Sequence, residues 1–366
     1  MNASVKNKVV TVVMVVFFLG LSVICWLKPE ETFSNSERRA LAQFPVVSAK
    51  EVLSGNFMTK FESYTLDQFP LRDRFRNIKA VVASYLFGQK DNNGIYVLDG
   101  YVSKIEYPMK TDSVKRACER FRYVFEKYLS GTEANVYVSI VPDKNYFLAE
   151  EKGCLSLDYE VFADTFLAGM DFAEYIDIIS LLSLEDYYKT DTHWRQECIV
   201  DVAQLLAETM DVTLALEYEE QTLDKPFYGV YYGQSALPLP AEEIKYLTSE
   251  VFQDCQVYDY QNDKEIGIYD FEKAYGKDPY EMFLSGTLSL VTITNPAALT
   301  DKELVIFRDS FGSSIAPLLV EGYEKITLVD IRYMHPDMLE HYVEFENQDV
   351  LFLYSTLVLN NAETLK

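Results

Sequence analysis

Leu304-Val305-Ile306-Phe307-Arg308-Asp309-Ser310-Phe311 is the stretch on which the fold of this chain turns. Its first four residues are apolar and read as a short strand buried on both faces, and a serine follows almost at once. In open α/β sheets, reactive groups gather in the loops at the carboxyl ends of parallel strands. A serine placed there becomes a good nucleophile only when a histidine takes its proton and a third group holds the histidine ring. The chain has three histidines, His193, His335 and His341. Only His193 has an aspartate two residues away, in Asp191-Thr192-His193-Trp194. Each stretch is weak evidence by itself, because Asp-x-His recurs by chance and a serine after a strand is commonly a helix cap. Their joint position relative to the predicted strands is what gives them weight.

Outward from this stretch, further segments share the same short, Val- and Ile-rich character: Asn135–Val141, 175–179, Lys325–Val329 and 350–354. Helical patterns lie between most of them, at 196–210 and 313–320, and 111–129 is amphipathic. Alternating strand and helix predicts a doubly wound α/β fold with a parallel sheet. The segment 214–295 breaks the alternation. It is Tyr-rich, Pro-rich and acidic, and is expected to be an insertion of short strands and loops. Residues 49–87 read as two helices interrupted at Pro70, and Asn92-Asn93-Gly94 marks a turn before a short strand at 95–98.

At the N-terminus, Lys6 and Lys8 precede a run from Val9 to Leu27 without a charge. At about 1.5 Å per residue the run is roughly 28 Å long, close to the hydrocarbon thickness of a bilayer. The lysines on its N-terminal side predict a cytoplasmic N-terminus and a body outside the cell membrane, in single-pass topology. A cleaved signal peptide is the competing reading. No small-x-small site follows the run, which favours an uncleaved anchor. The expected organisation is a stub and anchor over 1–27, a linker and helices over 28–90, and an α/β domain over 91–366 with its insertion at about 214–295.

The formal charge of −24 argues against a nucleic-acid partner, because a phosphate backbone needs a basic surface. The 27 Tyr and 23 Phe supply a sizeable core. Cys118, Cys154, Cys198 and Cys255 have spacings that match no zinc pattern, so neither metal nor cofactor is expected. One or two disulfides among them are left open.

A strand followed by serine, with an Asp-x-His element elsewhere, resembles the SGNH hydrolases, with the order reversed. Counting from Ser310, the strands run 304–307, 325–329 and 350–354, then resume at 135–141 and 175–179 before Asp191 and His193. That is similar to the SGNH order circularly permuted, as in the alginate O-acetyltransferase branch and the DHHW family, named for an Asp-His-His-Trp tetrapeptide. Further stretches carry the likeness: Phe33-Ser34-Asn35-Ser36-Glu37-Arg38-Arg39, Asp67-Gln68-Phe69-Pro70-Leu71-Arg72-Asp73, Asn93-Gly94-Ile95-Tyr96 and Val141-Pro142-Asp143-Lys144. Two departures stand out. Thr192 occupies the place of the tetrapeptide's first histidine, and Arg308 replaces the glycine of a Gly-Asp-Ser signature.

The resemblance implies an O-acetyltransferase acting on an extracytoplasmic polysaccharide, with a membrane-bound acyltransferase as acetyl donor. An acetyl esterase with the same residues is an alternative, and so is a non-catalytic glycan-binding scaffold. Ser310 is then the nucleophile, His193 the general base and Asp191 the group that orients it. Trp194 is expected to pack under the site and Asp309 to hold the loop through backbone N–H groups. Lys144, Arg332 and Tyr333 are candidates for substrate or oxyanion binding. His335 and His341 are read as ordinary loop and helix residues.

Overall fold

The computed structural model describes residues 3–215 and 217–366. Residues 1 and 2 of the expected cytoplasmic stub, and Leu216 near the start of the expected insertion, lie outside them. The chain divides into two compact units. One comprises residues up to Asn92 with Tyr232–Pro238, and the other comprises Asn93–Tyr231 with Leu239–Lys366.

The first unit begins with helix α1 (Ala3–Leu27), whose Ser4–Cys25 segment is long and apolar enough to cross a membrane. The sequence predicts a linker over 28–48, but this stretch holds a ribbon of β1 (Phe33–Ser34) and β2 (Arg39–Ala40). A buried carboxylate organises it. Asp67 accepts two bonds from the Arg39 guanidinium at 2.9 and 2.6 Å and one from the Ala42 N–H at 2.9 Å. These long-range bonds have no periodic signature. Helices α2 (Ala49–Leu53), α3 (Asn56–Asp67) and α4 (Arg72–Val81) follow, and α4 continues as a wider turn through Leu86. Pro70 separates α3 from α4, as proline does when it removes a helical donor. Glu37 joins α4 to the ribbon through Arg72 at 2.6 Å and Arg76 at 3.2 Å.

The second unit opens with a hairpin, β3 (Ile95–Leu98) and β4 (Tyr101–Lys104). Its two-residue turn, Asp99-Gly100, has φ of 49° and 85°, and a turn with both central φ positive matches the twist of the strands it joins. Then come α5 (Thr111–Val124), β5 (Asn135–Val141), α6 (Asn145–Lys152), α7 (Tyr159–Leu167), β6 (Glu174–Tyr175) and α8 (Val200–Thr209). A second ribbon pairs β7 (Glu219–Thr222) with β8 (Lys245–Thr248). The remaining strands are β9 (Gln256–Asp259), β10 (Lys264–Ile266), β11 (Leu290–Thr294), β12 (Glu303–Arg308), β13 (Lys325–Val329) and β14 (Asp349–Ser355).

Among the described residues, eight strands form one sheet in the order β10-β9-β11-β13-β12-β14-β5-β6. From β13 to β6 every pairing is parallel, whereas β11, β9 and β10 add on antiparallel, so the sheet is mixed rather than parallel throughout. The Tyr-rich segment supplies β9 and β10, and β11 closes it. Of these only β9 and β10 are joined by a short turn, the connection that an antiparallel pair allows, whereas β11 reaches β9 and β13 across longer stretches of chain. The strand predicted over 175–179 is only Glu174–Tyr175. The Ile176 N–H still bonds to Val138 O at 2.9 Å, but a 3-10 turn begins at Ile179.

The parallel strands are covered on both faces, which is why their sequences show no polar alternation. On β12, Leu304 and Ile306 face a core shared with Val202 and Leu206 of α8. Val305 and Phe307 face the opposite core, shared with Phe121 of α5 and Phe162 and Phe166 of α7. On β14, Leu351 and Leu353 go one way and Val350 and Phe352 the other, the period-2 alternation of a strand. Numbered from β12, the five parallel strands lie in the order 2-1-3-4-5. In a sheet of that order the crevice forms outside the carboxyl ends of strands 1 and 3, here β12 and β14. Ser310 follows β12 directly.

Candidate active site

Ser310 is partly exposed, in the turn between β12 and the short helix Gly312–Ile315. Its side chain does not cap that helix; Phe311 is the cap residue and makes no side-chain capping bond. The Ser310 Oγ instead lies 2.7 Å from His193 Nε2, across 117 residues of sequence. His193 Nδ1 lies 2.6 Å from Asp191 Oδ1, which also accepts the His193 N–H at 3.2 Å. Asp191 Oδ2 accepts the Val230 N–H at 2.8 Å. A carboxylate that accepts Nδ1–H leaves Nε2 free to take a hydroxyl proton, so this chain of bonds has the geometry of a nucleophile, a base and an orienting acid.

The loop around Asp191 is clamped from behind. The Gly229 N–H bonds to Thr190 Oγ1 at 2.9 Å and the Tyr231 N–H to Thr190 O at 3.0 Å. A Cβ at Gly229 would sit 2.3 Å from the Asp191 Cα, so only glycine allows this approach. Lys144 is buried, at 1 % exposure, and so is not a solvated lysine. Its ammonium donates to the carbonyls of Tyr188 at 2.7 Å and Lys189 at 2.9 Å, and lies over the Tyr231 ring. Burial pushes its pKa down to about 7, against the opposing pull of Glu242, Asp191 and Asp143. Asp143 beside it is fully enclosed. Burial raises its carboxyl to about 6, although it accepts bonds from Thr356, Tyr159 and the Asn145 N–H.

Trp194 is wholly buried, with its ring edge-on to Phe311 and its indole N–H on Ser314 Oγ at 2.8 Å. Ser314 also shares a 2.8 Å bond with the Tyr280 hydroxyl. The Tyr280 ring is stacked on His193, with centroids 3.8 Å apart and planes within 6°. Asp309 fixes the serine turn. Its Oδ1 accepts the Phe311 N–H at 3.0 Å, and its Oδ2 accepts the Ser355 N–H and hydroxyl at 2.8 and 2.7 Å, tying the turn to the end of β14.

Arg308 is completely buried. Its side chain passes where a Cβ at position 312 would stand, 2.6 Å from its own Cβ, so Gly312 makes room for the arginine that replaces the signature glycine. Arg332 is held bidentately by Asp330, with Nε–Oδ1 at 2.9 Å and Nη2–Oδ2 at 2.6 Å, which commits its fork to the protein. Tyr333 follows it, about half exposed. His335 and His341 are exposed, and His335 caps the turn after it through Asp337 N–H.

Sequence reasoning missed Tyr280, Ser314 and Gly229. Ser314 stands four residues after Ser310, on the short helix that follows it, a usable local signal. Tyr280 and Gly229 come from the irregular segment, and their place at the site depends on how that segment folds back.

No family model and no curated protein matches the chain. Solved structures do. A DHHW family protein from Eubacterium siraeum is 23% identical with a TM-score of 0.61, over 75% of this chain and 95% of that one. PatB1 from Bacillus cereus is 17% identical with a TM-score of 0.55, over 73% of this chain and 97% of its own. The same protein with a sulfonyl adduct gives 18% and 0.56, over 72% and 95%. At these identities the likeness is one of fold, and it extends over nearly the whole of those chains.

Proposed function

We propose that this chain is a membrane-anchored O-acetyltransferase that modifies an extracytoplasmic polysaccharide through Ser310, His193 and Asp191. The observation that carries the reading is the pair of short contacts, 2.7 Å from Ser310 to His193 and 2.6 Å from His193 to Asp191. They lie at the carboxyl end of β12, where the strand order puts the crevice of an α/β sheet. The order of strands around Ser310 supports an SGNH hydrolase-like domain in circular permutation. It would occupy residues 91–366 with an insertion at about 214–295, after an anchor over 1–27 and a linker and helices over 28–90. The DHHW family likeness and the apolar helix α1 are consistent with this reading.

The reaction follows from the side chains. His193 Nε2 takes the Ser310 proton as Oγ attacks the acetyl carbonyl of the donor, and Asp191 steadies the imidazolium. Collapse of the tetrahedral species expels the donor's alcohol, which takes the proton back from His193, and leaves acetyl on Ser310. A sugar hydroxyl then gives its proton to His193 and attacks the acetyl-serine, releasing Ser310 Oγ to be reprotonated. One ester is broken and one formed. We assign the acetyl donor to a membrane-bound acyltransferase. Arg332 is already committed to Asp330, so Tyr333 is the residue after β13 proposed to meet a sugar ring, with Lys144 supporting the loop from within.

The experiment is treatment of the full chain with a sulfonyl fluoride, followed by mass spectrometry of the Ser310 peptide. A single adduct at Ser310, absent in His193→Ala, is the expected result. An unreactive Ser310 would leave only a non-catalytic, glycan-binding protein. Where Ser310 reacts, the ratio of acetyl transferred to acetyl released from a model ester, with and without an oligosaccharide, separates transferase from esterase. Acetate release that an oligosaccharide does not divert would assign the enzyme to the esterases.

A further inference from the structure

The stretch Leu71–Phe87 has its apolar residues on the outside. At 3.6 residues per turn Phe75 and Ile78 fall on one face of α4, Leu71 caps that helix, and Val82, Tyr85 and Leu86 follow in the wider turn that continues it. Five of them are exposed, Leu71 by 62%, Ile78 by 61% and Leu86 by 73% among them, and Val82 is partly so. The opposite face is the one turned to the protein. It holds buried Ala80 and Ala83, and Arg72 and Arg76 in their ion pairs with Glu37. On the helical wheel Arg74 borders the apolar stripe on one side and Lys79 on the other, both exposed. An apolar stripe turned away from the protein and edged by long cations is the pattern of a helix lying in a lipid interface, where the cations snorkel to the headgroups.

Two further observations select the occupant. The stripe belongs to the same compact unit as α1, and α1 ends 44 residues before Leu71 in the chain, so the unit is tethered where α1 leaves the bilayer. Residues 28–92 carry ten Lys and Arg against eight Asp and Glu, in a chain whose formal charge is −24. The stretch 72–79 alone has four cations and one anion. The basic part of an acidic protein thus lies next to the anchor, which suits an anionic lipid surface.

We infer that α4 and its continuation to Phe87 lie in the plane of the membrane that α1 spans, with the Leu71–Leu86 stripe among the acyl chains and Arg74 and Lys79 at the phosphates. The inference rests on α1 being a membrane anchor. It is tested with the full chain in nanodiscs of phosphatidylcholine and about one-third phosphatidylglycerol, doped with a lipid carrying a diazirine in its acyl chain. Photolabel is located by peptide mapping. Label on both the α1 peptides and residues 71–87 is expected. In the triple variant Phe75→Glu, Ile78→Glu, Leu86→Glu, whose changes fall on exposed positions, label on 71–87 should fall at least fivefold while that on α1 is kept. Label on α1 without label on 71–87 overturns this inference and leaves the anchor intact, and would be the result if the stripe served a protein partner, since none is present. No label on α1 overturns the anchor and the in-plane helix together.

Discussion

The phenol ring of Tyr280 lies parallel to the imidazole of His193, 3.8 Å from it, while the Tyr280 hydroxyl bonds to Ser314, one turn beyond Ser310. One tyrosine from the irregular segment thus touches His193 and the helix that follows Ser310. Burial pushes its hydroxyl well above the usual tyrosine range, so it stays a neutral hydrogen-bonding group. Tyr280→Phe keeps the stacked face and should hold acetyl-transfer kcat within about fivefold, the loss of one bond worth about 1 kcal/mol. Tyr280→Leu removes the π face and should lower kcat about tenfold, equivalent to about 1.4 kcal/mol. Equal rates for the two variants would show that the ring face does not position His193.

Ser310→Ala and His193→Ala should each abolish transfer, by about a thousandfold or more, and the double variant should be no worse than either. Asp191→Asn should lie between them and the wild type, because base and nucleophile remain while ring orientation is impaired. Thermal unfolding of Ser310→Ala should match the wild type closely, since a partly exposed hydroxyl contributes little packing. His335→Ala and His341→Ala should change the rate by less than about tenfold. A harmless His193→Ala would exclude His193 as the base.

Gly229→Ala tests the clamp behind Asp191. The added methyl would stand 2.3 Å from the Asp191 backbone, so the loop must move. A shift of about 1 Å at a catalytic group is worth about a hundredfold in rate, and that loss of kcat is the expected result with binding of acceptor oligosaccharide retained. A fully active Gly229→Ala would mean that the two loops separate without displacing Asp191.

Lys144 gives the protein a pH signature. Its folded pKa is lowered by burial to about 7, below the ordinary 10.5. Below pH 7 both folded and unfolded chains carry the charge, and the full burial cost is present. Above it the folded lysine loses its proton while the unfolded one keeps it, so stability contributed by this group rises with pH and levels near the unfolded value. The slope is at most about 1.4 kcal/mol per pH unit. Lys144→Met removes the group. Unfolding in denaturant at pH 7 and pH 9 should therefore show wild type gaining on the variant as pH rises, and parallel behaviour would exclude the shift.

The buried strands on either side of Ser310, and the Asp191-x-His193 spacing, were legible because each rests on local pattern. A doubly covered strand shows as an unbroken apolar run, and an aspartate two residues before a histidine needs no tertiary information to be noticed. The mixed edge of the sheet was not legible. β9 and β10 lie inside a Tyr-rich, acidic segment where short strands and loops look alike, and strand direction depends on connections that composition does not encode. The 175–179 segment was overread for the same reason: its apolar residues fit a buried strand, but only Glu174 and Tyr175 pair with β5 as a strand.

What the sequence determined by itself was therefore the set of parts: an apolar helix of membrane length, a set of buried strands, a serine after one of them and an Asp-x-His. Periodicity and spacing are properties of neighbours in the chain, and they survive in one dimension. Only the tertiary structure decided that Ser310 and His193, 117 residues apart, stand 2.7 Å from each other, and that Tyr280 and Gly229 close around them. It also decided that Lys144 turns inward and that the apolar side of α4 turns outward. These are outcomes of competition for burial among segments distant in sequence. Their free energies belong to contacts formed when the sheet and its surrounding loops assemble, and no stretch of the chain carries them alone.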